Sequence, residues 1–174
     1  METERLVLRL YSEADKENLM QLFTDEAVMK HVDTGGFSRE KAEELWLKLR
    51  EDFYPKGLTT IYGVFDKTDE HYIGHASIRP RPTNPNEWEI GYILKVDEWG
   101  KGYATEIGRK LVEFGFNELN LTSVFATVDT NNYASIHVLE KIGMKHIRDE
   151  YDEQGRFFVY GILWSEQRAV ISNW

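Results

Sequence analysis

Hydrophobic and polar positions alternate with a period of two over residues 5–10, which predicts a β-strand. The spacing then changes, and apolar positions three and four residues apart predict helices over residues 12–24, 26–31 and 38–49. Serines at the start of the first and last of these segments are typical helix N-caps. The first third of the chain is therefore one strand followed by helices.

From Thr59 the period returns to two, and the residues up to 66 and from 71 to 79 predict a β-hairpin with its turn at 67–70. Three prolines then fall within residues 79–86. Because proline cannot donate a backbone hydrogen bond, a loop is predicted there, followed by a strand over residues 87–96.

The second half alternates between helix and strand. Helical spacing covers residues 102–116 and 135–142, and a strand over residues 123–128 lies between them. Two final strands, over residues 145–151 and 157–164, form a hairpin. This order predicts an α+β or mixed α/β fold whose central, mostly antiparallel sheet is flanked by helices and includes parallel pairing after the helix at residue 102.

Composition places the whole chain, residues 1–174, in one domain. The length is near that of a single domain, and 41% hydrophobic with 13% aromatic residues is typical of a globular protein. No internal repeat or linker-like segment divides the sequence. With no cysteine there is no disulfide framework, thiolate nucleophile or cysteine-based zinc site.

Charge narrows the classes of partner. The formal net charge of −9 argues against a nucleic-acid backbone and favours a cationic or amine-bearing partner. No apolar run approaches the roughly 20 residues that span a bilayer, and the first residues have no apolar signal core, so no membrane association and a cytoplasmic location are expected. No histidine pair has the helical spacing of metal ligands, so no metal site is expected.

The segment from Glu89 to Glu106 carries the clearest chemical signal. A strand leads through Gly100-Lys101-Gly102 directly into a helix. The glycines allow positive φ, and the unpaired amides of residues 101–105 then converge with the helix dipole on an anion, a suitable site for a diphosphate. A simple glycine-rich connector is the alternative. Neither a Walker loop nor a dinucleotide fingerprint matches, because the residues that follow the glycines differ.

Several motifs in this order resemble the GNAT superfamily of acyl-CoA-dependent N-acetyltransferases, and within it the ribosomal-protein alanine N-acetyltransferase branch. The resemblance covers nearly the whole chain. Its motifs are Glu4-Arg-Leu-Val-Leu-Arg9, Ile73-Gly74, Glu89-Ile-Gly-Tyr92, Trp99-Gly-Lys-Gly-Tyr-Ala-Thr-Glu106, Asn132-Tyr-Ala-Ser135 and Glu140-Lys-Ile-Gly-Met144.

The resemblance implies a GNAT fold with a splayed cleft that binds acetyl-CoA as co-substrate. In such a fold the strand end at Leu94, Lys95 and Val96 would pair with the pantetheine arm, and Asn132 would contact the same arm. The diphosphate would lie on the amides of Gly100, Lys101, Gly102, Tyr103, Ala104 and Thr105. Trp99 stands where the family signature has Gln or Arg, so this chain lacks that guanidinium or amide.

Two residues are candidate catalytic groups. Glu89, on the strand beside the expected thioester, is the candidate general base, with Glu87 two residues earlier on the same face. Alternatively, Glu87 and Glu89 are solvated carboxylates on a strand face, or they anchor the substrate amine electrostatically. The Ser135 hydroxyl would donate a hydrogen bond or a proton to the leaving sulfur, or it would instead cap its helix. Many members of the superfamily have a tyrosine acid where this chain has Leu139.

The resemblance implies direct transfer of acetyl to a primary amine by a monomer or homodimer. The resemblance to this branch favours the N-terminal amine of a protein, such as a ribosomal one, as the acceptor. The net charge of −9 is equally compatible with a small molecule such as a polyamine or an aminoglycoside, which is the alternative acceptor. A catalytically silent CoA-binding sensor or scaffold of the same fold is the alternative. A nicotinamide-dependent enzyme is the weakest reading.

Overall fold

The computed structural model describes residues 1–32, 35–57, 60–153 and 155–165. The strands are β1 (Leu6–Arg9), β2 (Ile61–Asp66), β3 (Tyr72–Arg81), β4 (Asn84–Leu94), β5 (Ser123–Asp129), β6 (Lys145–Asp152) and β7 (Gly155–Leu163). The α-helices are α1 (Lys16–Thr24), α2 (Glu26–Met29), α3 (Arg39–Leu47), α4 (Tyr103–Asn117) and α5 (Tyr133–Lys141). Short 3₁₀ turns cover Glu13–Asp15 and Val96–Glu98, and α3 continues into a π-helical segment, Lys48–Phe53.

The strands form one seven-stranded sheet in the order β1-β2-β3-β4-β5-β7-β6. β1 is antiparallel to β2, and β7 is antiparallel to both β5 and β6. β4 is parallel to β5, with Glu89 opposite Phe125. The mixed, mostly antiparallel sheet predicted from the order of the elements is therefore confirmed.

The chain divides into two compact units. The first comprises Met1–Ala76 and Tyr92–Tyr103, and the second comprises Ser77–Gly91 and the residues from Ala104 onward. The chain passes between them within β3, within β4 and after the first residue of α4.

The core of the first unit is built from the apolar stripes of its helices. α1 buries Leu19, Met20, Leu22 and Phe23, while α3 buries Ala42 and Trp46. These side chains form one cluster with Tyr11, Val28, Met29, Leu49, Ile61, Phe65 and Tyr72. The helical spacing predicted from residues 12–24 and 38–49 thus corresponds to a buried face.

The core of the second unit lies between α4 and the strands. Ile107, Leu111 and Val112 of α4 are fully buried. A Cβ at Gly115 would lie 2.9 Å from Ile78 Cδ1 and 3.0 Å from Val124 Cγ2. Glycine therefore lets this turn of α4 pack closely on the strands, and a larger residue would require the Ile78 and Val124 side chains to shift.

The loop predicted over residues 79–86 is wrong. β3 continues through Pro80 to Arg81, a turn covers only residues 82 and 83, and β4 begins at Asn84. β2 has six residues against ten in β3, so the end of β3 extends past β2 and Pro80 needs no hydrogen-bond donor on that side.

Two element ends also differ from the sequence prediction. β4 ends at Leu94, so Val96 begins a 3₁₀ turn rather than ending the strand. α5 begins at Tyr133, two residues earlier than expected, because Asn132 is its N-cap and accepts from the Ser135 amide at 3.1 Å. The predicted strand start at Thr59 lies outside the described residues.

Candidate active site

The glycine loop between β4 and α4 has the backbone shape that its sequence predicts. Gly100 and Gly102 have φ values of +73° and +84°. Within the described residues, the amides of the loop from Gly100 to Gly102 make no main-chain hydrogen bond outside helices and strands. Because α4 begins at Tyr103, the unpaired N–H groups of its first turn follow directly. The loop therefore presents main-chain donors, the chemistry that a diphosphate needs.

Arg5, the residue before β1, contacts this loop through its guanidinium. Its Nη1 donates to the Lys101 carbonyl at 3.0 Å, and its guanidinium lies 4.5 Å from the centre of the Tyr103 ring. A Cβ at Gly102 would lie 3.4 Å from Arg5 Nη2. The arginine in the first motif thus reaches the glycine loop, a link that no local pattern in the sequence indicated.

Glu98 anchors the loop on its other side. Its carboxylate, only 7% exposed, accepts from Lys101 Nζ at 3.0 Å and lies 3.4 Å from His71 Nε2. A hydrogen bond to Asp69 raises the pKa of His71. The Lys101 side chain is therefore engaged with the protein, and the loop offers its main chain rather than this ammonium.

One group of possible metal ligands lies in the turn between β2 and β3. The ligand atoms of Asp66, Asp69 and His71 lie within 4.8 Å of one another. Asp69 and His71 are exposed and already bonded to each other at 2.5 Å. This geometry is that of a surface ion pair, which alone does not make a metal centre.

Some of the main-chain groups of residues 94–96 that are expected to pair with the pantetheine arm already form hydrogen bonds within the first unit. The Leu94 carbonyl accepts from Trp99 Nε1 at 2.9 Å, and the Lys95 amide donates to the Ile73 carbonyl at 3.0 Å. The Val96 carbonyl accepts from the Trp99 amide. Each carbonyl keeps a second lone pair, so the assignment of Leu94, Lys95 and Val96 to the coenzyme stays a prediction.

Trp99 replaces the side chain that the family signature has at this position. Its indole N–H closes the turn after β4, although half of the side-chain surface is exposed. The residue therefore acts on the loop through the hydrogen bond of its indole N–H.

In the second unit, a buried arginine gathers the carboxylates of β4 and β6. Arg81 is 3% exposed, and its Nη1 donates to Glu87 Oε2 at 2.6 Å. Its Nη1 and Nη2 also donate to the two oxygens of Glu150, at 3.1 and 2.8 Å. Arg148 completes the network by donating to Glu87 at 2.7 Å and to Glu150 at 2.8 Å. We call Arg79, Arg81, Glu87, Glu89, Arg148 and Glu150 the carboxylate cluster.

Glu89 has the weakest cationic contacts of the three carboxylates in this cluster. Arg81 Nε lies 3.4 Å from its Oε2 and Arg79 Nη2 lies 3.6 Å from its Oε1. The Arg81 Nε is buried and forms no hydrogen bond within the described residues. The Glu89 carboxylate thus lies near two arginines but accepts no short, well-aligned hydrogen bond from either of them.

The three carboxylates consequently differ in acidity. Burial raises the pKa of Glu89 above its ordinary value, against the opposing effects of Arg79 and Arg81. Burial alone would also raise the pKa of Glu87, but hydrogen bonds from Arg148 and Arg81 outweigh it and lower that pKa. A hydrogen bond from Arg81 lowers the pKa of Glu150. Glu89 is therefore the member of the cluster best suited to accept a proton.

The residues at the start of α5 have separate roles. Asn132 Oδ1 is used as the helix cap, so Ser135 does not cap the helix, which was the alternative for it. Ser135 is half-buried at the third position of α5. Leu139 is 1% exposed in the core, and Tyr133 is 74% exposed. Among these candidates, Ser135 keeps the leaving-group role as a prediction.

His75 belongs to a buried polar chain in the first unit. Its Nδ1 lies 3.0 Å from the Tyr11 hydroxyl, which in turn lies 2.9 Å from the Tyr72 hydroxyl. The His75 ring stacks on Tyr11 and meets the edge of Phe23. These hydrogen bonds give both buried tyrosine hydroxyls a partner inside an aromatic core, which is a structural role.

Comparison with known proteins decides the family. The acetyltransferase (GNAT) domain family matches residues 5–145. The chain belongs to this family. An uncharacterized N-acetyltransferase of Bacillus licheniformis is 29% identical over 94% of this chain and 96% of its own length. The FsC-acetyl coenzyme A-N(2)-transacetylase of Aspergillus fumigatus is 30% identical over 88% of this chain and 68% of its own length.

Solved structures show the same GNAT fold. A GNAT-family acetyltransferase of Bacillus anthracis matches with a TM-score of 0.79 at 24% identity, over 94% of this chain and 97% of that one. Spermidine N-acetyltransferase of Vibrio cholerae, in complex with CoA and spermine, matches at 0.78 with 19% identity over 94% and 98%. A ribosomal-protein alanine acetyltransferase of Vibrio fischeri matches at 0.73 with 20% identity over 94% and 95%. These structures confirm the expected fold. The family match and the N-acetyltransferase relatives confirm the GNAT resemblance of the sequence, and the chain is an N-acetyltransferase.

No helix among the described residues of this GNAT chain is both long and apolar enough to cross a bilayer.

Proposed function

We propose that this GNAT enzyme transfers the acetyl group of acetyl-CoA directly to a primary amine on a cationic acceptor, with Glu89 as the general base. The single observation that carries the proposal is the geometry of the carboxylate cluster, in which Glu87 and Glu150 take the short hydrogen bonds from Arg81 and Arg148, whereas the paired nitrogen of Arg81 is 3.4 Å from Glu89. Glu89 has a raised pKa, while neighbouring Glu87 and Glu150 have lowered ones. Perturbed carboxylates of this kind are typical of acid–base sites.

The chemistry requires a neutral amine, because an ammonium has no lone pair. Glu89 takes one proton from the ammonium, directly or through a water molecule. The amine nitrogen then forms a bond to the thioester carbonyl carbon as the carbon–sulfur bond breaks and its electron pair stays on sulfur. The nitrogen loses its second proton as the amide forms, and this proton neutralises the CoA thiolate, so CoA leaves as the thiol. The Ser135 hydroxyl is proposed to donate a hydrogen bond to that sulfur. No covalent enzyme intermediate is needed, which agrees with a chain that has no cysteine.

The glycine loop supplies the coenzyme part of the proposal. The positive φ of Gly100 and Gly102 and the unpaired amides before α4 fit a diphosphate. Gly100, Lys101, Gly102, Tyr103, Ala104 and Thr105 are proposed to bind through their amides. The carbonyl of the Asn132 side chain is occupied as a cap, so its Nδ2 is the group proposed for the coenzyme arm.

Charge and relatives support a cationic acceptor. The net charge of −9 attracts polyamines and the basic N-terminal segments of proteins alike. Structural neighbours include one acetyltransferase named for spermidine and one named for a ribosomal protein. Both acceptors present a primary amine, so this class of amine is the substrate that we propose.

A screen with acetyl-CoA tests the proposal. Thiol release and product mass would be measured against spermidine, spermine, an aminoglycoside and peptides beginning with alanine or serine, at pH 7 to 8. We expect one acceptor class to gain 42 Da per acetyl group (the mass of C₂H₂O) with one thiol released per transfer. Calorimetry that shows acetyl-CoA binding with no turnover on any amine would instead indicate a CoA-binding sensor or scaffold.

A further inference from the structure

We propose that Arg81 and Glu150 are positioning residues that keep Glu89 able to gain and lose a proton, because Glu150 and Glu87 hold the Arg81 guanidinium away from it. The inference rests on the proposed role of Glu89 and extends it to residues on β3 and β6 that do not contact the substrate in that mechanism.

The geometry of Arg81 carries the first step. Its two terminal nitrogens make short bonds, of 2.6 to 3.1 Å, to Glu87 and Glu150. The Arg81 nitrogen paired with Glu89 is Nε, which lies 3.4 Å from Oε2 and forms no hydrogen bond within the described residues. Since Arg81 is 3% exposed, solvent cannot replace these carboxylates as partners. The guanidinium is therefore committed to two of the three acids.

The strength of charge-assisted hydrogen bonds supplies the second step. A bidentate arginine strongly favours the ionised form of a carboxylate and lowers its pKa. If Arg81 turned its paired nitrogens to Glu89, that residue would become a poor base at neutral pH. Glu150 prevents this by accepting from both terminal nitrogens of Arg81.

The charges around Glu89 set the sign of each change. Arg79 and Arg81 on β3 lie 3.6 and 3.4 Å from its carboxylate, and Arg81 is bonded in turn to Glu87 on β4 and Glu150 on β6. Arg148 on β6 contacts Glu87 and Glu150 and so acts on Glu89 through them. Phe125, opposite Glu89 on β5, is uncharged. Removing a negative charge from this set favours ionised Glu89, whereas removing a positive charge disfavours it.

Two charge-neutralising variants give opposite predictions. In Glu150→Gln the amide oxygen still accepts one hydrogen bond from Arg81, but the charge that holds the guanidinium is gone, so Glu89 should become more acidic. In Arg148→Gln, Glu87 and Glu150 lose a partner and bind Arg81 more completely, so Glu89 should become less acidic. Loss of Arg81 itself would leave buried carboxylates without their cation and destabilise the unit, so it is not the variant of choice.

The experiment is a titration of side-chain carboxyl ¹³C signals by NMR in the free, full-length protein, with the Glu89 signal assigned by its loss in Glu89→Gln. We expect the Glu89 midpoint to fall by about one pH unit in Glu150→Gln and to rise by about as much in Arg148→Gln. Glu153→Gln, an exposed change of the same charge in the turn after β6, is the matched control and should leave the midpoint unchanged.

Equal midpoints in all four proteins, or shifts of the same sign in both cluster variants, would overturn the inference. Melting curves at each pH confirm that every variant is folded during the titration. The acid limb of kcat/KM should move with the NMR midpoint. Because the titration needs no substrate, opposite shifts in the two variants together with full activity of Glu89→Gln would keep the electrostatic inference and reject Glu89 as the base.

Discussion

The glycine loop of the first unit and the carboxylate cluster of the second are built in different ways. The loop uses main-chain groups of consecutive residues, and its shape follows from two glycines with positive φ. The cluster uses side chains from three strands, and Arg81 bonds to Glu150 across 69 positions of sequence. Main-chain donors keep the same charge at every pH of interest, whereas the cluster changes charge. Coenzyme binding should therefore depend on backbone shape, and proton transfer on side-chain electrostatics.

The largest effect is expected from Glu89→Gln. Loss of a general base lowers the rate by a factor of roughly 10² to 10⁴. The initial velocity at pH 7 should therefore decrease by such a factor, while the affinity for acetyl-CoA stays within about twofold. Glu153→Gln is the control of equal charge. A fall in coenzyme affinity with unchanged turnover would break the division between the two regions.

The next largest effect is expected from Gly102→Glu. A side chain and a negative charge at a residue with φ of +84° would disturb the amides that face the diphosphate. Calorimetry should show acetyl-CoA bound at least tenfold more weakly, about 1.4 kcal/mol.

Gly57→Glu provides a matched control for that substitution, since Gly57 has φ of +77° and open space around its Cβ position. It should retain the affinity of the unmodified chain. Acetyl-pantetheine, which lacks the diphosphate, should bind both variants equally well. Equal loss of affinity for both ligands in Gly102→Glu would assign the effect to general distortion instead.

A smaller effect is expected from Glu98→Gln, which tests whether the contact between Glu98 and Lys101 supports the glycine loop. The variant loses the charge that holds Lys101, a contact with a partly exposed partner and so worth under about 1 kcal/mol. Acetyl-CoA affinity by calorimetry should fall by about two- to fivefold. Glu118→Gln, an exposed change on the chain after α4, should have no effect, and a similar loss there would implicate net charge alone.

The smallest effect concerns stability. Because folding raises the pKa of Glu89, its ionised form costs stability above the folded-state pKa, and this cost disappears as the pH falls below the ordinary glutamate value of about 4.3. Glu89→Gln should therefore raise the melting temperature at pH 8 by a few degrees, since about 1 kcal/mol corresponds to about 2–4 °C at this size. The gain should be absent at pH 4. A lower melting temperature at pH 8 would contradict the raised pKa.

Local signals in the sequence predicted the glycine loop, the order of the elements and the family. Turn chemistry at Gly100 and Gly102 acts over neighbouring residues, so it can be read without the fold. The prolines were misread for the opposite reason. Whether Pro80 breaks a strand depends on how far the neighbouring strand extends, and only the sheet shows that.

The supporting residues could not be found from one-strand patterns. Arg5, Arg81 and Glu150 act on residues that the tertiary fold brings to them. Glu98 holds Lys101 only three residues away, but its contact with His71 also depends on the fold. A weak signal exists in retrospect. Three strands carry charged residues two positions apart, namely Arg79 with Arg81, Glu87 with Glu89, and Arg148 with Glu150. Charges that repeat with the period of a strand on β3, β4 and β6 indicate cross-strand ion pairs.

The role of Glu89 as the base is best tested by the pH dependence of kcat/KM, compared between the unmodified enzyme and Glu89→Gln with the acceptor found in the screen. We expect the unmodified enzyme to lose activity as the pH falls through an acid limb above the usual range of glutamate. This limb should be missing in Glu89→Gln, whose rate should approach that of the unmodified enzyme only at high pH, where the amine is neutral. The same acid limb in both proteins would contradict the assignment of Glu89 as the base.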